Sequence, residues 1–392
     1  MDKRFTPTLL ALVAALAASS AAQAVGNTIT GDFNGIKWTA QSLLTGAQLG
    51  PYSGTGNLNH PGNDTYFPEY PTLGGVVGMF MNYNPATPTS GFVCSGTLLS
   101  DRQSILTAAH CVSAGFGTAG PASTTVFFQP AGGLPFNSSI YANPAAPPVG
   151  NPAATAIAVS QIFVNPGYTG QVIDQNDIAV LRLAAPAPSW AASYGIYGGN
   201  LTGTDFNVAG YGSRGTGAGA TGSTGRLREG DNRYDFRWGD AAFGGFFDGF
   251  FRNPDLPAAN VANSWVSDFD SGFADNDASG IMGSFFSANF THVGAGFREV
   301  GVAGGDSGGP AFVNGLIASV NSYGLSFGAN NFDGIGDVDN DLNSSFGEFS
   351  GYVPTFIHND FINASMVPEP GTYGLMALGL FAVGAVARRR RA

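Results

Sequence analysis

An all-β fold is what this sequence predicts, on three observations. Its strand-like runs are short and closely spaced, and clusters of Gly, Pro, Asn and Ser separate them. The residues that favour long helices are scarce: only 11% of the chain is charged, against 58 glycines and 31 phenylalanines in 392 residues. That mix favours short extended segments joined by tight turns. With 44% hydrophobic residues the chain has apolar surface enough for a core, which excludes global disorder.

Taken in order, residues 1–24 run from Lys3 and Arg4 through an apolar stretch to Ala22-Gln23-Ala24, the order of a secretory signal peptide. A buried N-terminal helix is the alternative. Export makes a disulfide between the only two cysteines, Cys94 and Cys111, chemically reasonable. Residues 25–72 are polar and rich in Gly, Asn, Thr and Pro, and read as an irregular pro-region or wrapping arm. Strand texture begins near Leu73. Residues 76–83, 104–107, 125–128, 156–164, 178–183, 206–209 and 316–320 are β-branched or aromatic runs bounded by turn residues. Strands at this spacing argue for a sandwich or a barrel.

Pro-rich 184–188 marks a crossing between two halves, with the boundary near 184–200. Residues from about 215 to 300 read as an insertion enlarging the second half. Within it, 215–225 is low-complexity and flexible by composition, while 243–251 and 285–290 are aromatic clusters that need burial. Residues 359–365 suit a short terminal helix, so the folded body spans 73–366.

The formal charge of −11 repels phosphates, which argues against a nucleic-acid partner. The C-terminus reads Val367-Pro368-Glu369-Pro370, then an apolar stretch over 373–387, then Arg388–Arg391. That stretch is short of the roughly twenty residues a spanning helix needs, and the arginines favour the cytoplasmic side. A plain transmembrane anchor is one reading. The three elements in this order also resemble a PEP-CTERM sorting signal over 367–392. The resemblance implies a Gram-negative bacterium and export across its inner membrane, with transient membrane association through the C-terminal helix. It also implies processing by signal peptidase and an exosortase-type enzyme, and a final place on the surface, in the matrix or in the medium.

Three segments carry chemistry. The first runs from Cys94-Ser95-Gly96 to Thr107-Ala108-Ala109-His110-Cys111, the second is Asn176-Asp177-Ile178-Ala179, and the third is Gly304-Gly305-Asp306-Ser307-Gly308-Gly309-Pro310. A serine hydroxyl near neutral pH needs a base within hydrogen-bond reach to act as a nucleophile. In the order His, Asp, Ser, the three motifs closely resemble the trypsin/chymotrypsin family, over roughly 73–365.

The resemblance implies two six-stranded antiparallel β-barrels with a short C-terminal helix, and a serine endopeptidase acting on protein or peptide substrates without a required cofactor. It implies His110 as general base, Asp177 as its orienting carboxylate and Ser307 as nucleophile, with Gly305 and Ser307 N–H groups forming an oxyanion hole. Cys94 and Cys111 match the family's histidine-loop disulfide. Closing that loop would stabilise by about 3 kcal/mol in the chain-entropy model.

In the family the residue before the serine, here Asp306, accepts an ion pair from a new N-terminus. No Lys or Arg lies between Lys37 and Arg102, so tryptic activation at the customary place is impossible. Two routes stay open: signal-peptide cleavage exposing Val25-Gly26, or non-tryptic processing around 72–77. Gly301 stands six before Ser307, where the family has its pocket floor, and supplies no carboxylate. Ser322-Tyr323-Gly324 resembles the substrate-binding strand, with Gly324 leaving the pocket mouth open. The expected preference is an apolar or aromatic residue before the cut. Strict cleavage after Lys or Arg would point to another acid, such as Glu299.

Asp337, Asp339, Asp341, Asn343, Ser345 and Glu348 have the oxygen spacing of a calcium loop, although Leu342 stands where such a loop wants Gly. A solvated acidic loop is the alternative. Asp268, Asp270, Asp275 and Asp277 have poorer spacing and read as surface, and His60, His292 and His358 as ordinary residues. Two competing functions remain. One is a catalytically silent surface or matrix binding protein on a protease scaffold. The other is an α/β-hydrolase, from Gly305-Asp306-Ser307-Gly308-Gly309 with acids in 333–348 and His358.

Overall fold

The computed structural model describes residues 28–33, 36–41, 73–86, 91–113, 115, 120–130, 154–213, 215–220, 224–327 and 335–366. The signal-peptide and sorting-tail segments lie outside them. The arm opens with β1 (Thr28–Phe33) and β2 (Ile36–Gln41). The first barrel follows: β3 (Val76–Asn82), β4 (Phe92–Leu98), β5 (Ser104–Thr107), β6 (Ser123–Phe128), β7 (Thr155–Val164) and β8 (Ala179–Leu183). These six close in the order β3-β4-β5-β8-β7-β6, each ladder antiparallel. Val76, Met79, Leu98, Ile105, Leu106, Val126 and Leu181 fill the interior without exposed surface. Cys94 in β4 is disulfide-bonded to Cys111 just past β5, which ties two neighbouring walls together.

The second half is built on β9 (Asp205–Gly210), β12 (Arg228–Arg233), β13 (Phe236–Arg237), β14 (Trp265–Asp268), β15 (Pro310–Val313), β16 (Leu316–Ser326) and β17 (Phe349–Pro354). Their order is β12-β9-β15-β16-β17-β14-β13. The two ends of this path, β12 and β13, are separated in sequence only by Tyr234 and Asp235. Asp235 donates its N–H to Val266 O in β14 at 2.9 Å. Counted as one interrupted strand they make the sixth stave, so the sheet curls into a second barrel. The chain ends its described part in a short helix, α2 (Asn359–Ser365).

The expected insertion over 215–300 is not one block. It contains two staves, β12 and β14, and two excursions. The first, from Trp238 to Ser264, buries Phe243, Phe247 and Phe251 around Trp238, with ring centroids 4.6 Å and 4.8 Å from the indole for Phe247 and Phe251. The second, 269–306, contains the helix α1 (Ala278–Phe285). Gly-rich 215–220, expected to be flexible, is a tight hairpin of β10 (Gly215–Thr216) and β11 (Gly219–Ala220). It is held by Ala220 N–H to Asn343 O and Phe346 N–H to Gly217 O, both 2.8 Å.

The arm expected to be irregular also has structure. β1 pairs with β2, and β2 pairs antiparallel with β16, matching Gln41 to Gly324, Ala40 to Leu325 and Thr39 to Ser326. Trp38 seals the joint against Phe250 and Phe251 of the aromatic excursion. Backbone pairing and an aromatic anchor override the weak local pattern.

Candidate active site

His110 sits in a single 3-10 turn, Ala109–Cys111, directly after β5, and the Cys111 disulfide pins that turn. Asp177 ends a turn before β8, with its N–H on Asp174 O at 3.0 Å. The two residues are 4% and 1% exposed, so their interaction is shielded from water. Asp177 Oδ2 lies 2.6 Å from His110 Nδ1, and Asp177 Oδ1 accepts the His110 backbone N–H at 2.8 Å. Ser322 Oγ, reaching over from β16, donates to Asp177 Oδ2 at 2.5 Å. A carboxylate so engaged takes its hydrogen bond from Nδ1–H, which leaves Nε2 with its lone pair. Ser322 is expected in substrate binding, whereas its hydroxyl holds the aspartate.

Ser307 lies on the turn before β15, also buried. Three contacts seat that turn on the first barrel. Ser95 N–H donates to Ser307 O at 2.8 Å, Ser95 Oγ donates to Gly305 O at 2.7 Å, and Cys111 Sγ is 3.7 Å from Ser307 O. Gly308 makes the seat possible: it has φ +80°, and a Cβ there would stand 2.0 Å from Thr107 Oγ1 and 2.4 Å from Ser95 O. The histidine-bearing segment and the serine turn therefore abut, one from each barrel. Ser95 also accepts Tyr211 N–H at 2.9 Å, so a single hydroxyl bridges both halves. Sequence reasoning missed Ser95, although its place beside Cys94 in the first motif was the available signal.

Asp306 is buried beneath the same turn. Its Oδ1 accepts Gly212 N–H at 2.9 Å, and Asn321 Nδ2 donates to the Asp306 carbonyl at 3.1 Å. Burial pushes its carboxyl up to about 6, opposed by the N–H groups of Gly212 and Ala303 and by the charge of nearby Arg228. Arg228 is itself buried and donates to Gly212 O at 2.8 Å. The chain thus offers Asp306 an internal cation that the sequence reading did not foresee. Processing around 72–77 meets an obstacle, because Val76 and Val77 are buried in β3 and freeing them would strip a stave from the first barrel.

On the substrate side, Gly301 is buried with Phe269 against it: a Cβ there would lie 3.3 Å from Phe269 Cβ and Cγ. Tyr323 has no exposed surface, and its hydroxyl accepts Trp238 Nε1–H at 2.7 Å and lies 2.7 Å from Ser264 Oγ. Gly324 was expected to leave the pocket mouth open. Instead β2 occupies the edge of β16 from Gly324 to Ser326.

In the 337–348 loop, Asp337, Asp339 and Glu348 already accept hydrogen bonds, while Asn343 Oδ1 is buried without a partner. Asp337 accepts from Asp339 N–H, Asn340 N–H and the Ser326 hydroxyl, Asp339 from Asp341 N–H and Asn343 Nδ2, and Glu348 from Asn343 N–H and Ser345 N–H. Asp339 and Asp341 are exposed. The second acidic group departs from its surface reading: Asp268, Asp270 and Asp277 are buried, and only Asp275 is exposed. His358 is held between Asn165 Nδ2 and Gln175 O, and every ladder between strands is antiparallel, so the α/β-hydrolase reading fails on both partner and fold. Cys94, His110 and Cys111 lie together, but the disulfide removes both thiolates as metal ligands.

A model of the trypsin family matches residues 79–233, a span that includes His110 and Asp177 and stops short of Ser307. A model of the PEP-CTERM protein-sorting motif matches residues 367–391. None of the curated proteins matches the chain. Among the described residues no helix is long and apolar enough to cross a membrane, and 373–387 falls outside them.

Proposed function

The chain carries a trypsin-family domain and a C-terminal PEP-CTERM protein-sorting motif, and from that premise we propose that it is an exported serine endopeptidase with His110, Asp177 and Ser307 as its triad. The observation that supports this most is the Asp177 carboxylate, which engages the His110 ring at 2.6 Å and its backbone N–H at 2.8 Å. In this reading His110 Nε2 takes the Ser307 proton as Oγ attacks the peptide carbonyl, and then returns it to the leaving amine. The resulting acyl-enzyme is hydrolysed by water that His110 activates in turn. Gly305 and Ser307 N–H groups stabilise the oxyanion, each such donor being worth about 10²–10³ in turnover. Asp306 holds that turn from below, with Arg228 as its nearby cation.

Gly301 beside Phe269 makes an apolar or aromatic residue before the cut the expected preference. The chemistry needs no cofactor; a calcium ion on Asp337, Asp339, Asp341, Asn343 and Glu348 would be structural. Signal peptidase and an exosortase-type enzyme are the processing partners this reading requires, and a cell-surface, matrix or released protein is their product.

The arm over 25–72 is assigned the part of a pro-region. An extended substrate pairs with the exposed edge of a strand, and β2 already covers that edge at Gly324–Ser326. The same fact favours a second reading, a silent binding protein whose substrate edge is permanently closed. A fluorophosphonate probe separates them. The peptidase reading expects label on Ser307 of the processed protein, and no label on Ser307→Ala, which should lose about 10⁶ in turnover. Absence of label in every processed form would leave the silent protein standing.

A further inference from the structure

In the second half of the chain, four carboxylates from three stretches converge. Asp268 closes β14, Asp270 follows on the next turn, Asp277 caps α1, and Glu299 comes from the segment leading to Gly301. All four are buried, at 0–3% exposure. Carboxylate oxygens of Asp268, Asp270 and Asp277 lie within 4.8 Å of one another. Oxygens sharing one calcium ion at about 2.3–2.6 Å cannot be more than about 5 Å apart, so this spacing fits.

The decisive feature is Asp270. It is 1% exposed, and neither of its side-chain oxygens has a hydrogen-bond partner. Glu299 Oε1, likewise buried, has none. A buried charge of this kind is tolerated only when paired or when it coordinates a metal. A proton on Asp270 would have to be accepted by another carboxylate of the same cluster, which would itself stay charged and buried. The other members are half-satisfied in a way that leaves lone pairs. Asp268 accepts Ser279 N–H and Asp277 accepts Gly280 N–H, both at 2.7 Å, while Glu299 accepts Ala295 N–H at 2.5 Å. Gly294 keeps the space above the cluster clear, since a Cβ there would stand 2.8 Å from Asp270 Cβ and 3.4 Å from Glu299 Oε2. The one arginine of residues 269–306, Arg298, is engaged with Asp231 and Glu229.

We propose that Asp268, Asp270 and Asp277, with Glu299 beside them, form a structural calcium site that ties the 269–306 excursion to β14. A donor set made wholly of oxygens selects a hard cation, and a cluster of convergent carboxylates suits calcium's flexible coordination better than magnesium's strict octahedron. The site is separate from the 337–348 loop, where Asp337, Asp339 and Glu348 already have N–H partners. Through Phe269, which stands between two of the ligands and against Gly301, the ion would also brace the wall of the proposed substrate pocket.

The test uses the secreted chain in a Ser307→Ala background, so that self-cleavage does not intervene. Melting in 1 mM calcium should exceed melting in chelator by about 5–10 °C, as expected for a ligand present at about a hundred times its Kd. Calcium titration calorimetry should give a site that Asp270→Asn removes, together with the melting response, while Asp339→Ala keeps both. If Asp270→Asn does not fold, Asp277→Asn serves in its place. No calcium binding by the parent protein overturns the proposal, and so does a response that survives Asp270→Asn and vanishes with Asp339→Ala. An equal response to magnesium overturns the calcium assignment. These readouts do not depend on peptidase activity.

Discussion

The two barrels share one plan and stay together by opposite means. The first has a mainly apolar core, aliphatic side chains with Phe127 and Phe128 among them, is closed on itself by continuous ladders, and is stapled by the chain's one disulfide. The second closes through an interrupted strand and carries a polar interior in which Glu229, Ser264, Asp268 and Glu299 have almost no exposure. It compensates with an aromatic excursion around Trp238 and Tyr323, with a borrowed strand pair from the arm, and, on the inference above, with a cation. A core of branched aliphatics needs only to be packed, whereas buried polar groups each need a named partner. The second barrel therefore depends on contacts from distant chain segments, and the proposed triad takes its Ser307 from that half.

The largest effect that would sharpen this contrast is chemical. Asp177→Asn should leave both barrels folded and lower turnover by about 10⁴, read as kcat on a peptide substrate at unchanged melting temperature. Little change in rate would break the link between the first barrel's His–Asp pair and function. Next, Trp238→Ala removes the centre of the aromatic excursion and the donor to the Tyr323 hydroxyl. It should cost about 3–5 kcal/mol in denaturant unfolding. A loss under about 1 kcal/mol would show that the second barrel does not lean on that cluster.

Replacing Cys94 and Cys111 together by Ser should cost about 3 kcal/mol. Amide exchange should quicken over 76–98 and stay slow over 310–326; equal quickening in both would mean that the staple serves the whole body. The smallest effect concerns the borrowed strand. Ala40→Pro removes a ladder N–H from β2 and should raise cleavage of extended peptides several-fold while sparing a small ester substrate. Unchanged peptide cleavage would remove the arm's blocking role.

Legibility followed the same divide. β3, β5, β6, β7, β8, β9 and the first half of β16 announce themselves as β-branched or aromatic runs, and five of these seven belong to the first barrel. β12 reads Arg-Glu-Gly-Asp-Asn-Arg, which no hydrophobic period identifies, yet Arg228, Glu229 and Asn232 are buried there because other segments meet their polar atoms. The Gly-rich hairpin at 215–220 and the arm strand β2 were equally hidden, since both are held by pairing to remote chain. The acidic cluster was misread as surface because its spacing along the chain is irregular. Only folding brings Asp270 beside Asp277, with Glu299 behind.

By itself, the sequence determined the antiparallel all-β class, the three motifs that carry His110, Asp177 and Ser307, and the sorting tail. These are local patterns, written in residues near one another. Only the tertiary structure decided that Ser322 serves the aspartate, that Arg228 lies near Asp306, that β2 covers Gly324, and that Asp268, Asp270 and Asp277 are buried together. Each of those depends on which distant groups are left to satisfy a buried charge or an open strand edge, and that is settled only when the chain closes on itself.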